Sequence, residues 1–387
     1  MQETLRVVLV HWNSPQDCVR TVAQLRSGTV PVRITVVDNA SDPERRAELG
    51  ELLSAAGALG DGDTLEILDC HSNLGFGPGA NRGIGRFLAT PGDGEWVALV
   101  PHDVEVAPDT LERLLDAARE VPNAGLCCAD VGDGMVPVID PYFGGMVVPG
   151  GTDPGWEEVD YPHGTLMLLR RGCLAEIGLF DERFFSYCEE ADLALRARRS
   201  GWRVGLVRGA MVHNVTLGSS VWLVDYLQTR NTLLLVREMS GPYHAFIRVC
   251  FTLVQVIRGL RDPTTRPPVF DASARAAGVR DFLSLWQAFE NRGTFNCGRT
   301  SEEITKLLGK PDKVIPNGAN EVWEYGFKQI HFMDGRLAAV IDPRGLSATI
   351  ANANNKLEIE FDEQSRWRLG YRSVDRIQSL TEYIPAG

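Results

Sequence analysis

The eight cysteines form no CxxC pair and no disulfide-rich spacing, only the adjacent Cys127-Cys128. This excludes a disulfide framework and reads as reduced thiols in a cytoplasmic protein. No uninterrupted apolar run is long enough to span a bilayer. The apolar run after Met1 is also too short for a signal peptide. Positive charge is in deficit, with 39 Lys and Arg against 51 Asp and Glu and a net charge of −12. That balance excludes broad nucleic-acid binding and a general attraction to anionic membranes, leaving room for a local basic patch. A Walker lysine is missing, so an ATP-type phosphate loop is excluded. So is a dinucleotide fold, because Trp12-Asn13-Ser14-Pro15 stands where its glycine fingerprint would follow the first strand.

What is present is the composition of a globular protein, 44% apolar and 23% charged, over 387 residues, a length suited to two domains. Leu5 to His11, Arg33 to Val37, Leu65 to Leu68 and Trp96 to Val100 read as four buried strands. Between them lie helix signals: Ser14-Pro15 and Asp42-Pro43 each offer a capping residue followed by proline. Strands alternating with helices predict an α/β fold with a mostly parallel sheet flanked by helices. Ligands in such sheets bind beyond the carboxyl ends of the strands. Asp38, the glycine loop Asn73-Leu74-Gly75-Phe76-Gly77 and Asp103 all fall at such ends. The glycines suit close approach of backbone to a ligand or a purely structural turn, and Asn73, Asn81 and Arg82 offer polar contacts.

The densest chemistry lies between Asp181 and Gly201, where an aromatic patch runs into Glu189, Glu190 and Asp192. If a helix starts near Glu189, these acids sit at its positive end, with Glu189 and Asp192 on one face and Glu190 pointing elsewhere. One carboxylate is then available to orient the site and another to act as a base. The plainer reading is helix capping, which acids at this position commonly provide.

Pro137 to Pro162 reads as a long, irregular loop rich in glycine and proline. Further on, Thr165 to Arg170 and Arg203 to Val207 are strand-like, and Leu223 to Glu238 is helical with Arg230-Asn231 inside it. Tyr243 to Leu260 is an apolar helix interrupted by Arg248 and Arg258. Its expected place is against the core, the alternative being a membrane surface. Arg261 to Pro268 reads as a linker. Strand-like pieces after Thr294, with Asp334-Gly335 as a hairpin signal, make a small α+β appendage. The expected division is 1–260 for the catalytic domain, 261–293 for linker and helix, and 294–387 for the accessory domain.

Taken in order, the motifs at Val10-His11-Trp12-Asn13-Ser14, Val36-Val37-Asp38-Asn39-Ala40-Ser41, the glycine loop through Asn81-Arg82-Gly83, Val100-Pro101-His102-Asp103-Val104, Phe180-Asp181-Glu182-Arg183-Phe184-Phe185 with its acidic helix, His213 and Arg230-Asn231 form a series. Over residues 5 to 240 this series resembles the family-2 glycosyltransferases, particularly the rhamnosyltransferase-like members. The resemblance implies the GT-A nucleotide-diphospho-sugar transferase fold and an inverting transfer to a hydroxyl acceptor. The donor would be a UDP- or dTDP-linked sugar, and the acceptor a glycan, a lipid-linked intermediate or a small molecule. Donor contacts would come from His11, Asn13, Asp38, Asn73, Gly75, Asn81, Arg82, His102 and Asp103. Mg²⁺ or Mn²⁺ would be held by Asp103 with help from His213. Glu190 would be the base, Glu189 the second choice, and Asp192 an orienting group.

Two departures from the family pattern stand out. Pro101 and His102 leave one obvious carboxylate at the metal position, and the base is Glu rather than the more frequent Asp. A sugar-nucleotide-binding protein without turnover, or a docking protein, is the alternative. The expected location is the cytoplasm, with the inner face of the membrane, peripheral lipid contact and homodimerisation through the C-terminal part left open.

Overall fold

The computed structural model describes residues 4–57, 64–90, 92, 94–214 and 220–290. Beyond these it describes 301–302, 305, 311, 313–317, 320–325, 328–333, 336–341, 350–352, 355–361, 367–373 and 376–379. The chain divides into two compact units, Met1–Phe282 and Leu283–Gly387.

The first unit opens with β1 (Leu5–His11), α1 (Pro15–Ser27), β2 (Val32–Asp38), α2 (Pro43–Ala55), β3 (Leu65–Asp69), α3 (Phe76–Ala89) and β4 (Trp96–Pro101). It continues through β5 (Val104–Val106), α4 (Thr110–Glu120) and β6 (Ala124–Asp130) to a hairpin, β7 (Met135–Asp140) and β8 (Gly144–Pro149). Then come β9 (Gly155–Glu158), β10 (Met167–Arg170), α5 (Arg171–Ile177), α6 (Glu189–Arg199) and β11 (Arg203–Asn214). Three long helices follow, α7 (Val221–Ser240), α8 (Pro242–Arg261) and α9 (Ala272–Glu290), the last extending in sequence past Phe282.

Nine of these strands form one mixed sheet in the order β3-β2-β1-β4-β10-β6-β11-β5, with β9 also on β11. The first four strands are mutually parallel; β10 runs antiparallel between β4 and β6. β1 is apolar along nearly its whole length because helices cover both faces of the sheet, and Val7, Val8 and Leu9 are fully buried. Two apolar layers result, one around Leu9, Ile34 and Leu114, the other around Val8, Ile84 and Phe87.

Several expectations are corrected. Pro15 and Pro43 do start helices, but neither Ser14 nor Asp42 caps its helix backbone. The Ser14 hydroxyl donates to Asp17 instead, at 2.8 Å. The 137–162 stretch is no irregular loop: it carries the β7–β8 hairpin and β9, registered from Met135 opposite Pro149 to Asp140 opposite Gly144. Nor does 261–268 behave as a free linker. Its backbone makes a short turn at Pro263–Thr265, Arg266 donates to the Gly259 carbonyl, and the following helix is tied down by a buried Arg275–Asp225 ion pair at 2.8 Å.

The second unit contains two four-stranded antiparallel sheets, each in sequence order: β12 (Lys313–Asn317), β13 (Asn320–Tyr325), β14 (Lys328–Met333), β15 (Arg336–Ile341), and β16 (Ile350–Asn352), β17 (Asn355–Phe361), β18 (Trp367–Ser373), β19 (Arg376–Ser379). Met333 pairs with Arg336, as the Asp334-Gly335 signal requires.

Candidate active site

The carboxyl ends of β1 and β2 meet in a polar cluster. His11 Nδ1 lies 2.8 Å from Asp38 Oδ1, with both side chains buried. The backbone N–H of Ser14 donates to His11 Nε2, so Nε2 is the acceptor and the ring proton sits on Nδ1, facing Asp38. Ser41 donates to Asp38 through both its hydroxyl (2.7 Å) and its backbone N–H (3.1 Å). Burial pushes the Asp38 carboxyl up, but the hydrogen bonds from His11 and Ser41 outweigh it and hold the group below the usual carboxylate range. A fixed anion with a defined edge results, suited to accepting hydrogen bonds from a ribose or a base.

Asn13 holds this cluster in shape. Its backbone is left-handed, as is that of Ala40 in the facing loop. Asn13 Oδ1 accepts from the Asp42 N–H at 2.7 Å, and the Asn13 N–H donates to Ser41 Oγ at 2.9 Å. His102, at the end of β4, crosses His11 edge to face at 5.4 Å and reaches the Val10 carbonyl at 3.1 Å. Burial lowers its pKa.

The glycine loop is braced by Asn39. Its amide donates to Asn73 Oδ1 and to the Gly75 carbonyl, while Asn39 Oδ1 accepts from the Leu74 N–H. Gly75 has φ +91°, and a Cβ there would lie 2.1 Å from the Phe185 carbonyl oxygen. The glycine is thus required by the chain at Phe185. It docks the acidic segment onto the glycine loop at the start of α3.

The segment entering α6 is strained. Phe185, Tyr187 and Cys188 all have positive φ, at 63°, 70° and 70°. Side chains rarely adopt such backbone, and it persists only where its surroundings over-determine it. Here α7 does so. Asn231, fully buried, donates from Nδ2 to the carbonyls of Phe184, Ser186 and Tyr187 at 2.7–2.8 Å. Arg230 adds bonds to the carbonyls of Arg183 and Phe184.

This clamp delivers the three acids of the first turn of α6. Glu189 is buried with one carboxylate oxygen unpartnered. Glu190, partly exposed, shares a side-chain hydrogen bond with it. Burial raises both carboxyls, and the charge of Glu190 raises Glu189 further. Their mutual hydrogen bond raises Glu189 and lowers Glu190, so the proton is held more firmly by Glu189 than by Glu190. Asp192 is turned away, bound to Arg196 through Nε (2.9 Å) and one Nη (2.8 Å); Arg196 also donates to the Ile177 and Leu179 carbonyls. Burial, then the charge of Glu190, raises the Tyr161 phenol.

The other expected residues fall less centrally. Asn81 spends its amide on the Phe180 backbone in both directions, at 2.9 and 3.0 Å, so it locks α3 to the acidic segment. Arg82 is exposed on α3, within reach of Cys70 by its charge. Asp103 stands in the turn between β4 and β5. His213 is exposed on β11, registered opposite Glu105 of β5. Among the described residues no group of three or more His, Cys, Asp or Glu is gathered as a metal would require. Asn39, Ser41 and Tyr161 carry roles that motif reading did not assign. For Asn39 and Ser41 the signal was present, since both sit inside the Asp38 motif.

The mixed nine-stranded sheet flanked by helices, with a buried anionic cluster at the β1 and β2 ends and a glutamate pair at the start of α6, has the fold of the GT-A glycosyltransferases. Residues 6–177, somewhat under half of the chain, match the family model described as glycosyl transferase family 2, which supports a family-2 glycosyltransferase. It is 27% identical over 234 residues, 52% of this chain and 73% of the relative, to N-acetylglucosaminyl-diphospho-decaprenol L-rhamnosyltransferase from Mycobacterium tuberculosis. It is 23% identical over 214 residues, 53% of this chain and 65% of the relative, to the low-salt glycan biosynthesis hexosyltransferase Agl10 from Haloferax volcanii. Among solved structures, GalNAc-T7 with UDP, GalNAc and Mn²⁺ aligns with a TM-score of 0.50 at 15% identity, covering 98% of this chain and 78% of that one, a likeness of fold.

Proposed function

We propose that this chain transfers a sugar from a UDP- or dTDP-linked donor to an acceptor hydroxyl by a single displacement that inverts the anomeric carbon. The observation that carries the reading is the Glu189–Glu190 pair at the start of α6, in which the mutual hydrogen bond favours the proton on buried Glu189 and leaves partly exposed Glu190 as the better base. Glu190 takes the acceptor proton as the hydroxyl oxygen attacks C1. The bond from C1 to the diphosphate breaks on the opposite side, and the nucleoside diphosphate leaves. Asp38, oriented by His11 and Ser41, holds the nucleoside. The names of the two relatives favour a hexose or deoxyhexose donor, and the mycobacterial one an acceptor of the lipid-linked diphosphate kind.

Asp103 and His213 offer too few ligands for a resident ion. They fit a divalent cation that arrives with the donor, since Mg²⁺ is commonly held by one or two carboxylates plus substrate phosphates. Mn²⁺ suits the same donor set. Such an ion would neutralise the charge developing on the leaving diphosphate. The expected result is that Mg²⁺ or Mn²⁺ binds weakly alone and more tightly with UDP or dTDP, by calorimetry, and that Asp103→Asn removes the gain. Full turnover in excess chelator would refute the metal role.

The reading itself is tested by a donor screen that follows nucleoside diphosphate release and the anomeric configuration of the product by NMR. Release with retained configuration would overturn the single displacement. Donor binding is assigned to the first unit. A chain ending before Thr294 is therefore expected to bind the same nucleotide, and a folded truncation that does not would refute the division.

A further inference from the structure

We propose that the outward face of α8, continued by the tip of the β7–β8 hairpin, docks on an anionic lipid bilayer. Tyr243, Phe246, Leu253, Val254, Ile257 and Leu260 recur at the three- and four-residue steps of one helical face and are all exposed, Tyr243 at 65% and Leu260 at 61%. The sequence reading placed this helix against the core. The structure packs it the other way round. Its buried positions are the small residues Ala245, Thr252 and Gly259, seven apart. Gly259 is closed over by the Phe270 ring, 2.5 Å from where a Cβ would stand. A helix laid on a protein surface normally turns its large apolar residues inward; α8 is anchored by its small face and presents the large one.

Charge selects the occupant. In a chain of net charge −12, Pro242–Arg261 contains no Asp or Glu, and its last turns carry exposed Arg258 and Arg261. An apolar stripe edged by arginines is the pattern of a helix lying in the interface of an anionic membrane. It lies flat, because no helix among the described residues is long and apolar enough to cross a membrane.

The surface continues onto the β7–β8 hairpin. The Phe143 and Phe251 rings meet at 5.4 Å, and Tyr142 meets His244 at 4.6 Å, so α8 and the hairpin share one exposed apolar patch that includes Met146 and Val147. Behind that patch, the Met146 carbonyl accepts from Tyr161, whose phenol is raised in part by the charge of Glu190. A bilayer at this face would present a lipid-borne hydroxyl to the base. That last step rests on the proposed transfer; the docking itself does not.

Flotation with vesicles, without donor or acceptor, separates the two. The full chain is expected to float with vesicles of phosphatidylcholine and phosphatidylglycerol, and less with phosphatidylcholine alone. The triple substitution Phe246→Ser, Leu253→Ser, Ile257→Ser should lower partitioning by about 100-fold or more, with an unchanged melting temperature. Arg258→Gln with Arg261→Gln should lower only the preference for phosphatidylglycerol, by about fivefold per arginine. Transfer to a soluble acceptor should survive the triple substitution. The proposal is overturned if the full chain does not float, or if the triple variant floats as well as the parent. It is equally overturned if the chain is a dimer without lipid that the triple substitution makes monomeric, since a second copy would then be the occupant.

Discussion

Glu190→Gln is expected to lower turnover by about 10²-fold or more, the lower range for loss of a general base, with donor affinity nearly unchanged. The affinity should hold because the proposed nucleoside site, Asp38 oriented by His11 and Ser41, lies at the ends of β1 and β2 and not on α6. A pH profile sharpens the test. Burial raises Glu190, and only its ionised form accepts a proton, so the rate should fall on acidification at a pH above the ordinary carboxylate range. The hydrogen bond from Glu189 counteracts part of that rise. Glu189→Leu removes it and should move the acidic limb to higher pH, while Glu189→Gln, which can still donate, should keep the limb near its place. Stability has the opposite sense. A carboxyl raised on folding contributes stability below its unfolded pKa and loses it as pH rises through the folded value. Glu190→Gln should therefore gain thermal stability at neutral pH while losing activity. Normal turnover in Glu190→Gln, with Glu189→Gln inactive, would move the base one residue back; normal turnover in both would leave the acids as a helix start.

The parallel strands were legible because each is an apolar run of strand length closed by a turn signal. Predicted Leu65 to Leu68 is observed as Leu65–Asp69, and Trp96 to Val100 as Trp96–Pro101. These strands obey a local rule, and local rules are readable. The direction of α8 was not, since an apolar stripe looks the same whether it faces protein or lipid. What distinguishes the two is the seven-residue spacing of Ala245, Thr252 and Gly259 on the other side. Asn81 was assigned to the ligand because polar residues beside a glycine loop usually point there, whereas the orphan backbone of Phe180, 99 residues away in sequence, claims it. Composition held an unused sign of the second unit: the chain's five lysines all lie at or beyond Lys306.

The left-handed residues before α6 were invisible for a related reason. Phe185, Tyr187 and Cys188 are not residue types that signal positive φ, and the structure imposes it through Asn231 on a distant helix. Asn231→Ala should therefore show how much the acids depend on that clamp. It strips the amide donor from three carbonyls, and Nδ2 has two hydrogens to share among them. Leaving about two buried acceptors unpaired should cost roughly 2–4 kcal/mol of stability. With the clamp gone, the strained backbone relaxes, and the first turn of α6 shifts against the donor side of the sheet. A displacement of about 1 Å is enough for about a 10²-fold loss in turnover. The effect should fall on kcat rather than on donor binding, because the Asp38 cluster and the Asn39 brace share no bond with Asn231. Asn231→Asp keeps the shape, removes the donor and sets a charge against the same carbonyls, so it should be at least as damaging. Asn231→Ala with lowered stability but normal kcat would show that the acids hold their place without the clamp, and would reduce Asn231 to a packing residue of α7.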